Sequence, residues 1–199
     1  DPEFKAEVSH AAPRLPAVFL LHVGNGLWYK NRTGVLRIYA ALIRCMELVP
    51  DMVMMGDPST KEETELVTQL GLTARVQWLE RPPTSWIATA YDRAQALIFP
   101  SLEEGFGWPV LEAMSRGCPV FTSNRPPLTE VGGDAVEYID PEDGEGAAKV
   151  IAGCLRQGET WRQQQAQKGR LRAQEFSMER FSMQMRTAYE HLLNSPQSD

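Results

Sequence analysis

Two carboxylates, Glu104 and Glu112, stand with seven residues between them in Glu104-Gly105-Phe106-Gly107-Trp108-Pro109-Val110-Leu111-Glu112-Ala113-Met114. The stretch follows an apolar run, Ala96-Leu97-Ile98-Phe99-Pro100, that reads as a buried strand. Gly105 and Gly107 let the backbone approach a ligand without a clashing Cβ. The helix after them offers unpaired N–H groups and the positive end of its dipole, a seat for a phosphate. Pro109 falls in the first helical turn, where a missing N–H costs little. A phosphate would repel ionised Glu104 and Glu112, so each should address neutral hydroxyls, as carboxylates do with ribose in dinucleotide folds. Together these residues point to a nucleotide-sugar. The glycines alone also fit a plain strand–loop–helix connection, and a single Glu also fits a solvated one, the reading that suits Glu103.

A second group opens the chain's first helix. Val23-Gly24-Asn25-Gly26 ends an apolar strand, and Lys30, Asn31 and Arg32 follow. This is neither a dinucleotide fingerprint, since Tyr29 takes the third glycine's place, nor a Walker loop. Lys30 and Arg32 at a helix N-terminus could neutralise a diphosphate; they also fit solvated cations. His22 reads as a core or strand-end residue. His10, His22 and His191 show no paired metal spacing, and Cys45, Cys118 and Cys154 show no metal or redox spacing. No Ser-His-Asp arrangement, nucleophile elbow or metalloprotease helix is present.

What must position these groups is an alternation of strands and helices. Strands are predicted at 17–23, 52–55, 76–79, 96–99, 119–122 and 135–138. Between them, helical spacing runs over 35–46 with Pro50 as its stop, and a helix over 60–70 carries a Thr60/Glu63 capping box and a Gly71 terminator. Further helices are predicted from Thr84, over 107–116 and as a short turn at 127–131; beyond Pro141 the chain reads as mostly helical. The pattern predicts an α/β fold, a Rossmann-like open parallel sheet of about six strands with helices on both faces. The loops 24–32, 56–61, 79–83, 100–107 and 122–128 then share the C-terminal edge, where such folds bind ligands. Residues 1–4 read as a cloning remnant, 5–16 as a linker, 17–175 as the nucleotide-sugar-binding domain, and 176–199 as an amphipathic helix and tail with Met178, Phe181, Met185, Tyr189 and Leu192 on its apolar stripe.

With 199 residues, 43% hydrophobic and 23% charged, the chain has the composition of a globular domain. A net charge of -6 argues against a nucleic-acid partner. The apolar run 15–23 is too short to span a bilayer, and no signal peptide is seen.

The ordered motifs resemble the retaining glycosyltransferases of family 4, also called group 1. They are Val23-Gly24 with Lys30, Leu70-Gly71-Leu72 before Val76-Gln77-Trp78-Leu79, Phe99-Pro100-Ser101, Glu104-Gly105-Phe106-Gly107 with Glu112-Ala113-Met114, Gly117-Cys118-Pro119-Val120, and Glu130-Val131-Gly132-Gly133-Asp134-Ala135. The resemblance implies the C-terminal, donor-binding half of a GT-B fold. Catalytic roles fall on Glu104, beside the transferred sugar, and Lys30, on the diphosphate. Donor contacts would come from Gly24, Asn25, Lys30, Arg32, Glu80, Arg81, Glu104, Gly105, Phe106, Gly107, Trp108 and Glu112, the last on the ribose and Glu80 and Arg81 near the base. The donor would be GDP-mannose or a UDP-hexose, with no permanent cofactor and no metal required. The acceptor would be a sugar or a lipid-linked sugar of bacterial surface polysaccharide. Other implied partners are an N-terminal acceptor domain lying outside this chain and, for the full-length enzyme, peripheral association with the inner face of the membrane from the cytoplasm. On that reading the isolated chain binds nucleotide but transfers little sugar. Alternatives are an inverting transferase, a sugar-nucleotide epimerase, or a catalytically silent nucleotide-binding module. The family often has Arg directly after its Val-Gly pair; here Asn25 stands there, and Arg32 is the candidate replacement.

Overall fold

The computed structural model describes residues 14–194, without the side chains of Leu192 and Asn194. The predicted remnant 1–4, most of the predicted linker, His10, the stripe residue Leu192 and the tail 195–199 lie outside the described residues. The strands are β1 Phe19–Gly24, β2 Asp51–Gly56, β3 Val76–Glu80, β4 Ala96–Phe99, β5 Val120–Ser123 and β6 Glu137–Ile139. The helices are α1 Arg32–Cys45, α2 Lys61–Gln69, α3 Thr84–Arg93, α4 Trp108–Ser115, α5 Leu128–Gly132, α6 Gly144–Leu155, α7 Glu159–Gln174 and α8 Met178–Asn194. The six strands are all parallel, in the order β3-β2-β1-β4-β5-β6. This is the doubly wound arrangement the alternation predicts, and its order reverses between β1 and β4, where a crevice opens at the strands' C-terminal ends.

Near-continuous apolar strands bury both faces of the sheet. Leu20, Met52, Met54, Ile98 and Phe121 pack under α1, α2 and α6, and Trp161 of α7 stacks on Phe121 at 5.4 Å. Phe19, Leu21, Val53, Leu97 and Phe99 pack under α3, α4 and α5. Residues of α7 also press on α4: a Cβ on Gly169 would meet the Met114 backbone at 3.3 Å. Along α8, Met178, Phe181, Met183, Met185 and Tyr189 are exposed, and among the described residues no helix is long and apolar enough to cross a membrane.

Several boundaries differ from the spacing. The first helix spans Arg32–Cys45, starting three residues before and ending one residue before the predicted 35–46; Met46 is already extended, and Pro50 O accepts from Tyr39 Oη at 2.8 Å. Pro50 fixes its own φ, disfavours helix at Val49 and reaches no further back than the i−4 carbonyl at Met46, so it does not itself set the end at Cys45. The last strand is Glu137–Ile139, because Ala135 closes a turn on Gly132 O (3.0 Å) and extension begins after it. The Thr60/Glu63 capping box is present in full.

Candidate active site

Lys30 and Glu104, from loops 74 residues apart in sequence, meet at the β1/β4 reversal. Lys30 Nζ donates to Glu104 Oε1 at 2.6 Å, and the side chains are only 12% and 7% exposed. The ammonium is boxed by two rings, 5.3 Å from the Tyr29 centroid and 5.1 Å from that of Phe99, which favours its charge further. Ser101 Oγ lies 2.6 Å from the same Glu104 oxygen, 2.8 Å from Tyr29 O and 3.2 Å from Glu103 O. Its single proton serves one of these acceptors at a time. Lys30 and Ser101 thus both meet Glu104 at Oε1, and Glu104 lines a recess of about 180 Å³ with Tyr29, Glu103 and Gly105.

Behind this pair the β4–α4 loop turns through Gly107, whose φ of 102° suits glycine, and a Cβ there would strike Leu128 Cδ2 at 2.6 Å. No side chain caps α4, and Pro109 lies in its first turn. Pro109 has no N–H and Val110 N donates to Gly107 O at 3.0 Å, so the backbone N–H groups available to a ligand there are those of Gly107 and Trp108. Trp108 is exposed and packs on Phe106 (4.8 Å between centroids), which in turn meets Phe176 edge-on at 5.9 Å. A largely apolar recess of about 360 Å³ opens between these rings and the α7–α8 joint. Glu112 is exposed one turn along α4, and its Oε2 accepts from Tyr91 Oη at 3.2 Å. Burial, then the nearby Glu112 charge, hold Tyr91 well above the usual phenol range, so it stays a donor.

The other sequence candidates divide. Gly24 is buried at the end of β1, where a Cβ would come within 2.9 Å of His22 Nε2, so its bareness gives the His22 ring room. Asn25 is exposed and folds back on its own loop, accepting from Leu27 N at 3.3 Å. Arg32 turns away from Lys30. It is 4% exposed, ion-paired with Glu63 (Nε to Oε1, 3.0 Å) and stacked 4.7 Å from the Trp78 ring. It is therefore not a solvated cation; its Nη2 lies 3.5 Å from Pro58 O, its Nη1 has no hydrogen-bond partner among the described residues, and it lines a recess with Gly26, Trp28 and Thr60. Glu80 is exposed and accepts from Ser59 N at 3.3 Å. Arg81 is exposed with a φ of 46°, and its N–H donates to Gly56 O at 2.6 Å. Ser101 and Asn31 were not among the predicted site residues, although an Asn directly before a helix start is a capping signal. Asn31 is the N-cap of α1, accepting from Gly34 N at 3.2 Å.

His22 is buried in β1. Its Nδ1 bonds Ile98 O at 2.9 Å, and its Nε2 has no hydrogen-bond partner. Burial, against the bond to Ile98 and aided by Arg32 and Lys30, lowers its pKa to about 4. The unfolded chain, with an ordinary histidine, binds the proton more readily between about pH 4 and 6.5. Folding stability from this residue is therefore whole above pH 6.5 and is lost as pH falls toward 4. At ~1.4 kcal/mol per unit the loss approaches ~3 kcal/mol. A thermal-melt series from pH 7.5 to 4.5 should show the decline, and His22→Asn should flatten it; an equal slope in both proteins would remove His22 as its source.

Comparison with known proteins places these features in context. The family model described as glycosyl transferases group 1 matches residues 8–172. The chain is 31% identical over 176 residues to O-antigen chain mannosyltransferase B of Escherichia coli, covering 87% of this chain and 46% of that protein. It is 35% identical over 79 residues to the O-antigen chain mannosyltransferase RfbU of Salmonella typhimurium, covering 40% of this chain and 22% of that one. The chain thus spans less than half the length of these relatives. Among solved structures, a glycosyltransferase from Rickettsia africae superposes with a TM-score of 0.78 at 19% identity, over 90% of this chain and 49% of that one. Anabaena HepE in complex with UDP and glucose superposes with a TM-score of 0.73 at 20% identity, over 86% of this chain and 48% of that one. At such identities the structures speak for the fold, a GT-B-type Rossmann domain.

Proposed function

Since the chain belongs to the glycosyl transferases group 1, we propose that it is the donor-binding half of a retaining hexosyltransferase acting in bacterial surface polysaccharide synthesis. The observation that carries this reading is the buried Lys30–Glu104 pair at the β1/β4 reversal, facing the uncapped start of α4. The donor's diphosphate takes the place beside Lys30 and the α4 N-terminus, opposite charges meeting in a crevice with little water. The transferred sugar occupies the recess beside Glu104, with its hydroxyls directed at the carboxylate's Oε2. The ribose lies against Glu112, which Tyr91 holds in place, and the base near Glu80 and Arg81, where the backbone turns sharply. In the reaction the bond from the anomeric carbon to the diphosphate breaks. The acceptor oxygen bonds that carbon from the same face, and its proton passes to the departing phosphate oxygen. Lys30 and the α4 dipole meet the charge that builds there, without a metal held by an Asp-x-Asp motif.

GDP-mannose is the favoured donor, because the matched O-antigen relatives bear the name mannosyltransferase; UDP-hexoses come second. The acceptor, a sugar or lipid-linked sugar, is held by a second domain outside this chain. The whole enzyme works in the cytoplasm, at the membrane's inner face when the acceptor is lipid-linked. The isolated chain therefore binds donor but transfers little sugar.

A thermal-shift panel of GDP, UDP, ADP and their sugars at millimolar concentration tests the reading. A ligand at ~100 Kd stabilises by ~2.7 kcal/mol, a rise of several degrees for a domain of this size. GDP and GDP-mannose are expected to give the largest rises. No rise with any nucleoside diphosphate would leave a silent module.

A further inference from the structure

Asn31 occupies an unusual place. It sits between Lys30 and Arg32 with a φ of 53°, a left-handed conformation that asparagine tolerates better than most residues. Every part of its amide is engaged. Oδ1 accepts from Gly34 N at 3.2 Å, while Nδ2 donates to Pro100 O at 2.9 Å and to Pro141 O at 3.1 Å. Its backbone N–H donates to Trp28 O at 3.1 Å. Pro100 opens the loop that carries Ser101 and Glu104; Pro141 opens the loop between β6 and α6. One side chain therefore joins three loops at the sheet's C-terminal edge. Gly34 makes room for it, since a Cβ there would lie 2.3 Å from Asn31 Oδ1.

We propose that Asn31 is a positioning residue that sets Lys30 against Glu104 by tying the Lys30 loop to the Glu104 loop. The inference rests on the reading of Lys30 as the cation that meets the donor diphosphate. Lysine is long and rich in rotamers, and fixing its backbone lowers the entropy lost when its ammonium is held. Nothing shorter than asparagine reaches both carbonyls while capping α1. Aspartate has the same shape, caps equally well and tolerates the same φ. It turns two donors into acceptors, however, and points them at Pro100 O and Pro141 O. Asn31→Asp therefore separates capping from tying.

The test combines two readouts on Asn31→Asp, Asn31→Ser and wild type. The first is the NMR resonance of the Lys30 side-chain ammonium, assigned by its loss in Lys30→Ala and read without nucleotide. In wild type it should show an ammonium held by Glu104; in both variants it should move toward free lysine. The second is calorimetry with GDP and UDP, where Asn31→Asp should bind about tenfold more weakly than wild type, a coupling of ordinary size for neighbouring residues. The deficit should shrink as pH falls and the introduced carboxylate gains a proton to donate. It should vanish in a Lys30→Ala background. An unmoved Lys30 resonance in both variants, or an equal deficit with and without Lys30, would overturn the proposal. If Lys30→Ala binds GDP and UDP as wild type does, the donor reading falls, and the resonance alone still decides whether Asn31 positions Lys30.

Discussion

Lys30→Ala is expected to weaken GDP or UDP binding to this chain by roughly 10- to 100-fold, the range of a lost hydrogen bond to a charged group. The loss has two sources. The diphosphate forfeits its cation, and Glu104, 7% exposed, is left unpaired and turns its charge on the incoming anion. Removing one partner of a buried pair also costs ~3–5 kcal/mol in folding, so the melting temperature should drop as well. The double variant Lys30→Ala/Glu104→Gln separates the two: stability should return, while affinity should regain only the part lost to repulsion by Glu104. Glu104→Gln alone should behave oppositely to Lys30→Ala. It releases the ammonium from its carboxylate, so nucleoside-diphosphate affinity should hold or rise, while transfer by the full-length enzyme should fall by about 10² or more, as when a group acting on the transition state is lost. Calorimetry and a transfer assay read the split. Equal weakening by both single variants would mean that Lys30 does not face the diphosphate.

The largest effect on stability is expected at Gly56. It ends β2 with a φ of 149°, opposite Gly24 in the β1–β2 register, and a Cβ would lie 1.8 Å from Gly24 O. No side chain can swing aside, because the obstacle is backbone. Gly56→Ala must part the ends of β1 and β2 or distort the loop that carries Lys30, at ~4 kcal/mol or more, in the range reserved for backbone and core disruption. That predicts a melting temperature lower by about 10 °C for a domain of this length. Gly153→Ala is the control: nothing lies within 4 Å of its Cβ, inside α6, and it should be neutral or stabilising by up to ~1 kcal/mol. A Gly56→Ala protein that melts within two or three degrees of wild type (roughly one kilocalorie) would show that the two strand ends can separate at little cost.

Much of this was legible in the sequence because it is governed by local rules. Apolar runs bounded by turn residues located every strand, and a Ser/Thr-x-x-Glu signature located the start of α2. Glycines and a first-turn proline located α4. The edge of the sheet to which the loops belong follows from parallel topology alone. What could not be read is the direction of side chains that leave an element at its end. Lys30 and Arg32 are two residues apart and look interchangeable as cations, yet the turn into α1 sends one toward Glu104 and the other between Glu63 and Trp78. Ser101 stood in the Phe99-Pro100-Ser101 motif with no role of its own. Its value lies in three acceptors that only the fold gathers around one hydroxyl. His22 was expected as a satisfied core or strand-end residue; it is buried in β1, but its Nε2 has no hydrogen-bond partner among the described residues, which only the fold reveals.

On the proposed donor reading, the contact between Lys30 and Glu104 gives the donor its own competitor. A carboxylate tethered within the same fold is present at an effective concentration far above that of any free anion. Small anions such as inorganic phosphate have only their charge with which to displace it, so they should hardly occupy the crevice. A nucleotide-sugar brings a base, a ribose and a hexose as further holds, and it can offer Glu104 hydroxyls in exchange for the ammonium it takes. On the donor reading proposed above, the pair would act as a threshold, closing the crevice to abundant simple anions and opening it to a ligand that satisfies both residues at once.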